Sequence, residues 1–300
     1  MPTPLVPPAE PSLAEALADL RREVDRRLEA LVPVPRDDND RIALAMRAAV
    51  LSTGKRVRPL MLMLAMRELG GDARGALELG CAVELVHAAS LVLDDMPCMD
   101  DAWLRRGQPT VHVRFGEDVA VLTAVALLNL AFKVVVRAPG VAPLVRVRLV
   151  EVLSDAVGTE GLVRGQFEDL HEGARARQAA EVSGTNHLKT GALFAAALEM
   201  AALASRASVG VAVGLREAAY ELGQAFQLYD DLCDGDPDAE LGKDAGKDKG
   251  KSTLVALLGP EGAKHRLRHH LQRVEGALGG VFGGGSALLR LVQSLFPRLH

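Results

Sequence analysis

Two clusters of acidic residues give the first chemical signal in this 300-residue sequence. The first lies within 94–101 and the second within 230–234, and each follows an apolar stretch. With a helical period of about 3.6 residues, four polar residues of the second cluster share one helical face: Gln227, Asp230, Asp231 and Asp234. The same spacing precedes the first cluster, at His87, Ser90, Leu91 and Asp94.

Carboxylates that follow an apolar helical stretch, near its C-terminus, require a compensating cation. A carboxylate near a helix C-terminus opposes the helix macrodipole at a cost of ~0.3–1 kcal/mol. Magnesium binds one or two protein carboxylates and completes its octahedral shell with water and phosphate oxygens. The two clusters therefore predict a phosphorylated substrate held through Mg²⁺. A solvated helix end explains one Asp-Asp pair well, but it explains two such pairs poorly.

Basic residues that could bind phosphate oxygens lie close to both clusters in the sequence. The segment Gly54–Pro59 supplies Lys55, Arg56 and Arg58 at the start of an apolar stretch. Arginine binds phosphate oxygens through two parallel hydrogen bonds, and lysine adds a compact charge. Further candidates are Arg105, Arg106, Lys189 with Thr190, Lys243 and Lys251. Their repeated placement beside the acidic clusters predicts a common site.

The elements that position these residues are predicted to be helices throughout. Aromatic residues make up 3% of the chain, and no run of alternating β-branched residues predicts a strand. The first helix is predicted to begin at Ser12, which can form a capping box with Glu15. Breaks rich in Gly, Pro and Asp are predicted near 33–40, 70–75, 105–109, 138–143, 158–161, 173–177, 235–250 and 279–286, the last as a flexible connector. The predicted organisation is an extended or disordered tail over 1–11 and one all-α domain over 12–300.

Composition excludes several classes of protein. The chain has 35 basic and 39 acidic residues, a net charge of −4, so the attraction that dominates nucleic-acid binding is missing. Polar residues interrupt the apolar stretch Val119–Val136, which predicts a buried bundle helix rather than a membrane span. Residues 1–11 lack the pattern of a signal peptide. Three cysteines without a C-x-x-C pair favour the reducing cytosol.

A second enzyme class is also open on the residues alone. Glu84-Leu-Val-His87 and Glu168-Asp-Leu-His171 are Glu-x-x-His pairs of the kind used by di-iron carboxylate bundles. That fold needs two further inward-facing glutamates. It gives no role to Gly54–Pro59 or to the aspartate clusters, so the phosphate hypothesis explains more of the sequence.

Over residues 50–260, the motifs resemble those of the trans-isoprenyl diphosphate synthase family, Asp-Asp-x-x-x-x-Asp and Asp-Asp-x-x-Asp. The segment Glu84–Thr110 and the later run from Gln224 to Gly235, followed by Gly-Lys-Ser-Thr-Leu-Val, closely resemble geranylgeranyl diphosphate synthases of bacterial carotenoid clusters. Two departures are Thr53, where the family has Gly, and Leu93, where many relatives have His. A non-catalytic subunit of a heteromeric synthase would be expected to lack an intact aspartate set, which this chain retains.

The resemblance implies a role for each matching residue. It implies that the diphosphate of isopentenyl diphosphate is held by Lys55, Arg58, His87 and Arg106. It implies that three Mg²⁺ ions accompany the bound diphosphate, with Asp94, Asp100 and Asp230 as principal ligands and Asp95, Asp231 and Asp234 in support. It implies that the allylic diphosphate is surrounded by Arg105, Lys189, Thr190, Gln227, Lys243 and Lys251.

The resemblance also implies a fold and a product. The family fold is an all-α bundle around a deep central cavity, usually a homodimer. The implied reaction ionises the allylic diphosphate, adds isopentenyl diphosphate and eliminates a proton. Chain length is implied to depend on Ala89 and its neighbour Ser90, because Ala89 is small where C15 synthases carry an aromatic residue. A C20 product, geranylgeranyl diphosphate, is therefore expected.

Overall fold

The computed structural model describes residues 12–172, 177–234 and 253–297, and its regular structure is almost entirely helical. A π-helical turn, His187–Gly191, joins α9 to α10, and one two-residue antiparallel ladder pairs β1 (Leu104–Arg105) with β2 (Gln108–Pro109). The helices of these ranges are α1 (Leu13–Leu31), α2 (Arg41–Val50), α3 (Val57–Glu68), α4 (Ala73–Asp94), α5 (Val111–Phe115), α6 (Glu117–Arg137), α7 (Pro143–Val157), α8 (Leu162–Glu172), α9 (Ala179–Asn186), α10 (Ala192–Ala204), α11 (Val209–Asp234), α12 (Leu254–Phe282) and α13 (Ala287–Ser294). The all-α prediction is confirmed.

Local sequence signals explain the helix ends that matter for function. The predicted capping box of α1 is present, since the Ser12 hydroxyl accepts from the Glu15 N–H at 3.3 Å and the Ser12 N–H donates to the Glu15 carboxylate at 2.8 Å. Helix α4 ends at Asp94, with Asp95 as its C-cap residue, and α11 reaches Asp234, the last residue described before 253. The first aspartate cluster therefore lies at a helix C-terminus, as the sequence predicts, and the second lies in the last described turn of α11.

The buried apolar side chains form one cluster that runs from α1 to the segment after α13. Helix α4 packs against α1, α2, α3, α6 and α10, and Leu79, Leu85 and Val86 on it are fully buried. Each such side chain contributes roughly 1.5–3 kcal/mol when it is removed from water. This burial holds the end of α4, and with it the first aspartate cluster, in a fixed place.

Two described helices, α4 and α6, are long and apolar enough to cross a membrane by length and composition. Both belong to the packed bundle, and 67% of the apolar window of α4 is buried. Only 44% of the corresponding window of α6 is buried, and Val121, Leu122 and Val125 are exposed on it. Helix α6 is therefore a bundle helix with one uncovered apolar face.

One predicted break begins later than expected. The segment 279–286 was expected to be a flexible connector, but α12 continues to Phe282, and the break before α13 is confined to 283–286, starting at Gly283, whose φ is +81°. Packing of α12 against α11 outweighs the low helix propensity of Gly279 and Gly280. The predicted tail over 1–11 and the predicted break over 235–250 lie outside the described residues.

Candidate active site

The ends of α4 and α11 open onto one cavity of about 720 Å³, a volume typical of small-molecule sites. Its wall is built from α3, α4, the loop after α4, α8, the π-helical turn and α11. The sequence-predicted residues that line it are Lys55, Arg58, His87, Ser90, Asp94, Asp100, Arg105, Arg106, Lys189, Thr190, Gln227, Asp230 and Asp231. Folding thus brings both aspartate clusters and the basic residues listed above into one cavity.

Asp95 does not line this cavity. It is buried, and its two carboxylate oxygens accept from Nε of Arg105 at 2.8 and 2.9 Å. Burial raises the pKa of Asp95 against the opposing effect of Arg105. In this structure Asp95 therefore holds Arg105 in the cavity wall, and its assignment as a supporting metal ligand stays a prediction.

Arg56 also differs from expectation. The sequence offers it as one of three cations for phosphate, but its guanidinium is buried and binds Asp25 and Glu84, each at 2.8 Å. It further donates to the carbonyl oxygens of Val50 and Ser52. These bonds leave Arg56 to shape the turn that presents Lys55 and Arg58.

A group of cationic and neutral donors forms what we call the arginine wall: Lys55, Arg58, His87 and Arg106. The Arg58 guanidinium lies 4.4 Å from the centre of the Phe194 ring, and its Nη1 is 3.5 Å from Nε2 of His87. Burial lowers the pKa of Arg58 to about 10, and burial also lowers that of Arg106. Burial and the nearby arginines hold the pKa of His87 well below its usual value, so its imidazole is neutral. An anion placed here would relieve this excess of positive charge.

Backbone strain is concentrated around this wall. Among the described residues, four non-glycine residues have positive φ, and three of them are Arg56, Asp101 and Arg106 in the two loops at the cavity mouth. Such conformations cost on the order of 1–3 kcal/mol and persist where the surroundings enforce them. Arg106 is fixed further by its bond to the Ser52 hydroxyl at 3.2 Å. The strain at Arg106 aims its side chain at the cavity, whereas strained Arg56 is held in the turn by its buried ion pairs.

A second part of the lining, which we call the paired wall, consists of Asp169, Lys189, Thr190, Gln227 and Asp231. Nζ of Lys189 lies 2.8 Å from the Asp169 carboxylate. The Thr190 hydroxyl donates to Oε1 of Gln227 at 2.8 Å, and Nε2 of Gln227 donates to Asp231 at 2.8 Å. Burial disfavours the charged Lys189, but Asp94 and Asp169 outweigh this and raise its pKa. Charges on this wall are therefore largely matched within the protein.

The carboxylates fit a magnesium ion that shares its shell with a substrate. Asp94 and Asp100 line the cavity together with Asp230, and the Asp100 N–H donates to the Asp94 carbonyl oxygen at 2.9 Å. Burial raises the pKa of Asp94 to about 6, with Asp100 adding to the effect and Lys189 opposing it. Within the described ranges, no three His, Cys, Asp or Glu side chains are grouped closely enough to hold a metal by themselves. This donor set suits Mg²⁺, which takes few protein ligands and several phosphate oxygens.

Part of the cavity lining is apolar. Leu91, Leu193 and Phe226 line it, and Phe226 packs on Phe194 with ring centres 5.4 Å apart. Ser90 also lines the cavity. Ala89 is fully buried and is not among the residues that line the cavity, so the dependence of chain length on Ala89 stays a prediction.

Other expected residues lie beyond the described structure, and some cavity residues were missed. Lys243 and Lys251 fall outside the described ranges, as does the side chain of Asp234. Asp169, Arg177 and Asn186 line the cavity without having been predicted. For Asp169, the available signal was its position four residues after Gly165 on α8, but one acidic residue in a charged helix is too common to single out.

The di-iron alternative is wrong. Glu84 is engaged with Arg56 at 2.8 Å, and Glu168 binds Arg164 at 2.9 Å and the Thr185 hydroxyl at 3.0 Å. His171 is exposed and stacks on Phe167, with ring centres 4.5 Å apart. The two Glu-x-x-His pairs therefore do not converge on a common centre.

The chain is similar to known proteins in both sequence and fold. It is 49% identical over 286 residues to a geranylgeranyl diphosphate synthase of Pantoea ananas, covering 95% of this chain and 94% of the relative. It is 36% identical to a farnesyl diphosphate synthase of Geobacillus stearothermophilus, covering 85% and 88%. A Helicobacter pylori geranyltransferase, solved with magnesium and isoprenyl diphosphate, matches with a TM-score of 0.84, 25% identity and 99% coverage of both chains.

The family match includes every described residue of the cavity wall that lies beyond residue 39. The protein-family model described as "Polyprenyl synthetase" matches residues 39–277 of this chain. These residues include both aspartate clusters, the arginine wall and the paired wall. The chain therefore belongs to the polyprenyl synthetase family.

Proposed function

We propose that this protein is a geranylgeranyl diphosphate synthase that joins isopentenyl diphosphate head-to-tail to allylic diphosphates and releases a C20 product. The observation that carries the proposal is the meeting of Asp94 and Asp100 with Asp230 and Asp231 in one cavity bordered by basic residues. The C20 product is supported by the 49% and 46% identity to relatives named geranylgeranyl diphosphate synthase, against 36% for a farnesyl diphosphate synthase.

Each wall is assigned one substrate. Isopentenyl diphosphate binds the arginine wall, where its phosphate oxygens accept from Arg58 and Arg106 and from neutral His87. The allylic diphosphate binds between Asp94 and Asp230, within reach of Arg105 and Lys189. Lys243 and Lys251 are included in this allylic site by motif, although they lie outside the described residues.

Magnesium is assigned to Asp94, Asp100 and Asp230, with Asp231 and Asp234 in support and three ions in the loaded enzyme. When bound, Mg²⁺ supplies Lewis-acid and electrostatic stabilisation of the leaving diphosphate. Lys189 and Arg105 add fixed positive charge at the same place, where a negative charge grows as the allylic C–O bond breaks. The arginine wall holds isopentenyl diphosphate so that its double bond faces the cationic carbon.

Carbon–carbon bond formation and proton loss complete the reaction. The isopentenyl π electrons form the new bond, and loss of a proton from the adjacent carbon restores a double bond. The neutral His87 is surrounded by arginines and held on the isopentenyl side, so we assign the proton to the released diphosphate. The apolar interior lined by Leu91, Leu193 and Phe226 takes the growing chain and keeps water from the cation.

The working unit is proposed to be one all-α domain that forms a homodimer in the cytosol. Support for the dimer is the exposed apolar face of α6, where Val121, Leu122 and Val125 are uncovered. A second copy of this chain would bury that face. Sedimentation equilibrium of the full chain tests the dimer, and a monomer at micromolar concentration would contradict it.

One experiment tests the activity and the product together. Purified protein is incubated with Mg²⁺, labelled isopentenyl diphosphate and each of the C5, C10 and C15 allylic diphosphates, and the products are sized. A dominant C20 product supports the proposal. A dominant C15 product would replace the assigned product and keep the reaction, whereas no labelled product from any primer would overturn both.

A further inference from the structure

The π-helical turn His187–Gly191 places Lys189 and Thr190 in the cavity wall. It lies directly between α9 and α10, so the helical path gains an extra residue at the point where the site needs these two side chains. Single π-helical turns are rare and often occur at functional sites, since their backbone hydrogen bonding is less favourable than that of an α-helix. Something in the surroundings must hold this turn in place.

Two glycines on neighbouring helices touch the backbone of the turn. A Cβ atom on Gly165 of α8 would lie 2.3 Å from the Lys189 nitrogen and 2.7 Å from its Cα. A Cβ atom on Gly223 of α11 would lie 2.6 Å from Cα of Gly191. These distances are far below the ~3.5–4.0 Å at which carbon atoms pack. The turn is therefore gripped between two helix backbones at positions where only glycine fits.

The residues that contact the turn through their side chains follow these glycines at a fixed spacing. Asp169 comes four residues after Gly165, and Gln227 comes four residues after Gly223. Residues i and i+4 lie on the same helical face, one turn apart. Asp169 binds Lys189 and Gln227 binds Thr190, each at 2.8 Å. Each glycine contact thus sets the distance across which one polar pair bonds. Gly165 does so for Asp169 and Lys189, and Gly223 for Gln227 and Thr190.

We propose that Gly165 and Gly223 are positioning residues for the allylic diphosphate site. By fixing how closely α8 and α11 approach the π-helical turn, they set where Lys189 and Thr190 stand relative to Asp94 and Asp230. This inference rests on the proposed function for its substrate. Its physical content, that two glycine contacts hold Lys189 in register, is independent of which prenyl chain is made.

The test compares three alanine substitutions. Gly165→Ala and Gly223→Ala add a methyl group against the turn, whereas Gly184→Ala adds one on α9, three residues before the turn, where nothing lies within 4 Å. We expect Gly165→Ala and Gly223→Ala to raise the KM of the allylic substrate about tenfold or more, since displacements near 1 Å have effects of this order. The KM of isopentenyl diphosphate should stay within about twofold, and Gly184→Ala should match the wild type in both.

A double-mutant cycle separates positioning from general packing. In a Lys189→Ala background, Gly165→Ala should add less than about a twofold further change, because the group that it displaces is already gone. Circular dichroism and thermal melting establish that each variant is folded. If Gly165→Ala does not fold, Gly223→Ala carries the same test in a Thr190→Val background.

The outcomes that overturn the inference are distinct from those that overturn the function. Wild-type kinetics in a folded Gly165→Ala protein, an equal rise in both KM values, or the failure of both variants to fold would each overturn it. If the wild type makes no prenyl product at all, the proposed function fails. In that case, binding of inorganic diphosphate with Mg²⁺ still tests the inference, because weaker binding to folded Gly165→Ala than to Gly184→Ala supports it and equal binding overturns it.

Discussion

The arginine wall and the paired wall line one cavity but differ in how their charges are balanced. On the arginine wall, burial lowers the pKa of Arg58 to about 10 and keeps His87 neutral, and these groups lie beside other cations. On the paired wall, Lys189 is bound to Asp169 and its pKa is raised. One wall therefore carries an excess of positive charge, and the other has largely neutralised its own.

This difference indicates how each wall can receive an anion. The arginine wall can bind a diphosphate directly, because the incoming charge relieves repulsion between Arg58 and Arg106. The paired wall and its neighbouring carboxylates would repel a diphosphate unless a cation came with it. Metal dependence is thus expected to belong to the allylic side, and direct recognition to the isopentenyl side.

The largest effect is expected from removing a carboxylate at the metal side. Asp94→Ala or Asp230→Ala should reduce turnover by ~100-fold or more, the scale seen when one electrostatic stabiliser of a transition state is lost. The helical content should be unchanged, and α4 should gain ~0.3–1 kcal/mol because an unfavourable charge leaves its C-terminus. Steady-state kinetics and thermal melting measure both effects.

Metal removal provides the matched control. EDTA should abolish the activity of the wild type, and added Mg²⁺ should restore it, whereas Mg²⁺ at any concentration should leave Asp94→Ala impaired. A folded Asp94→Ala protein with near-normal turnover would contradict the magnesium assignment. Metal-independent binding of an allylic diphosphate would contradict the comparison between the walls.

A smaller effect is expected from separating the two diphosphate sites. Hydrogen bonds to charged groups contribute ~1.5–3 kcal/mol, so Arg58→Ala should raise the KM of isopentenyl diphosphate by roughly 10–100-fold. His87→Ala should act on the same substrate, and Lys189→Ala should act mainly on the allylic substrate. KM values for both substrates are measured for each variant. Weaker allylic binding alone in Arg58→Ala would show that the two walls have been assigned the wrong way round.

The product length should change with little change in rate. By family resemblance, Ala89→Phe should shorten the cavity and shift the main product from C20 to C15. Because Ala89 is fully buried, the ring must displace core atoms, at a cost of ~1–3 kcal/mol in unfolding free energy. Product sizing and melting of Ala89→Phe, with Ala88→Phe as a control for core overpacking, measure these effects. An active Ala89→Phe enzyme that still makes only C20 would place the determinant elsewhere, with Ser90 in the cavity lining as the next candidate.

The sequence predicted the features that depend on local signals. Ser12 and Glu15 define a helix start through hydrogen bonds within four residues, and the first aspartate cluster marks the end of α4 by composition. The convergence of the two aspartate clusters was expected from the basic residues placed beside both of them and from family resemblance, not from a local structural signal. No local rule brings residue 94 next to residue 230.

Features that depend on tertiary contacts were missed for a physical reason. Asp95 was grouped with Asp94, yet the turn after α4 directs it to Arg105 ten residues later. The π-helical turn contains an added residue and is packed against Gly165 and Gly223 of other helices. The glycines of 279–286 look like a connector until α12 is packed on α11. In each case, a contact between distant segments outweighs the local preference.

The last prediction concerns the protonation state of His87. Changes in this state should leave turnover near neutral pH unaffected. Burial and then the charges of Arg58 and Arg106 disfavour the imidazolium form, so the pKa in the folded protein lies well below the usual value. NMR of the imidazole nitrogens in the free enzyme should therefore show a neutral ring from pH 8 down to pH 6.5. His87→Asn identifies the resonance.

Binding of a diphosphate should reverse this shift, because the bound anion cancels the arginine charges and favours the imidazolium. Inorganic diphosphate should therefore raise the titration midpoint of His87, and proton uptake should accompany binding below neutral pH. Protonation of His87 has the opposite effect on the stability of the free enzyme, because there it favours the unfolded chain. Without ligand, the unfolded chain binds the proton more readily, so unfolding free energy should fall as pH drops below about 6.5, and less so in His87→Asn. A free-enzyme midpoint at or above 6.5 would mean that the arginine wall does not carry the excess charge that sets it apart from the paired wall.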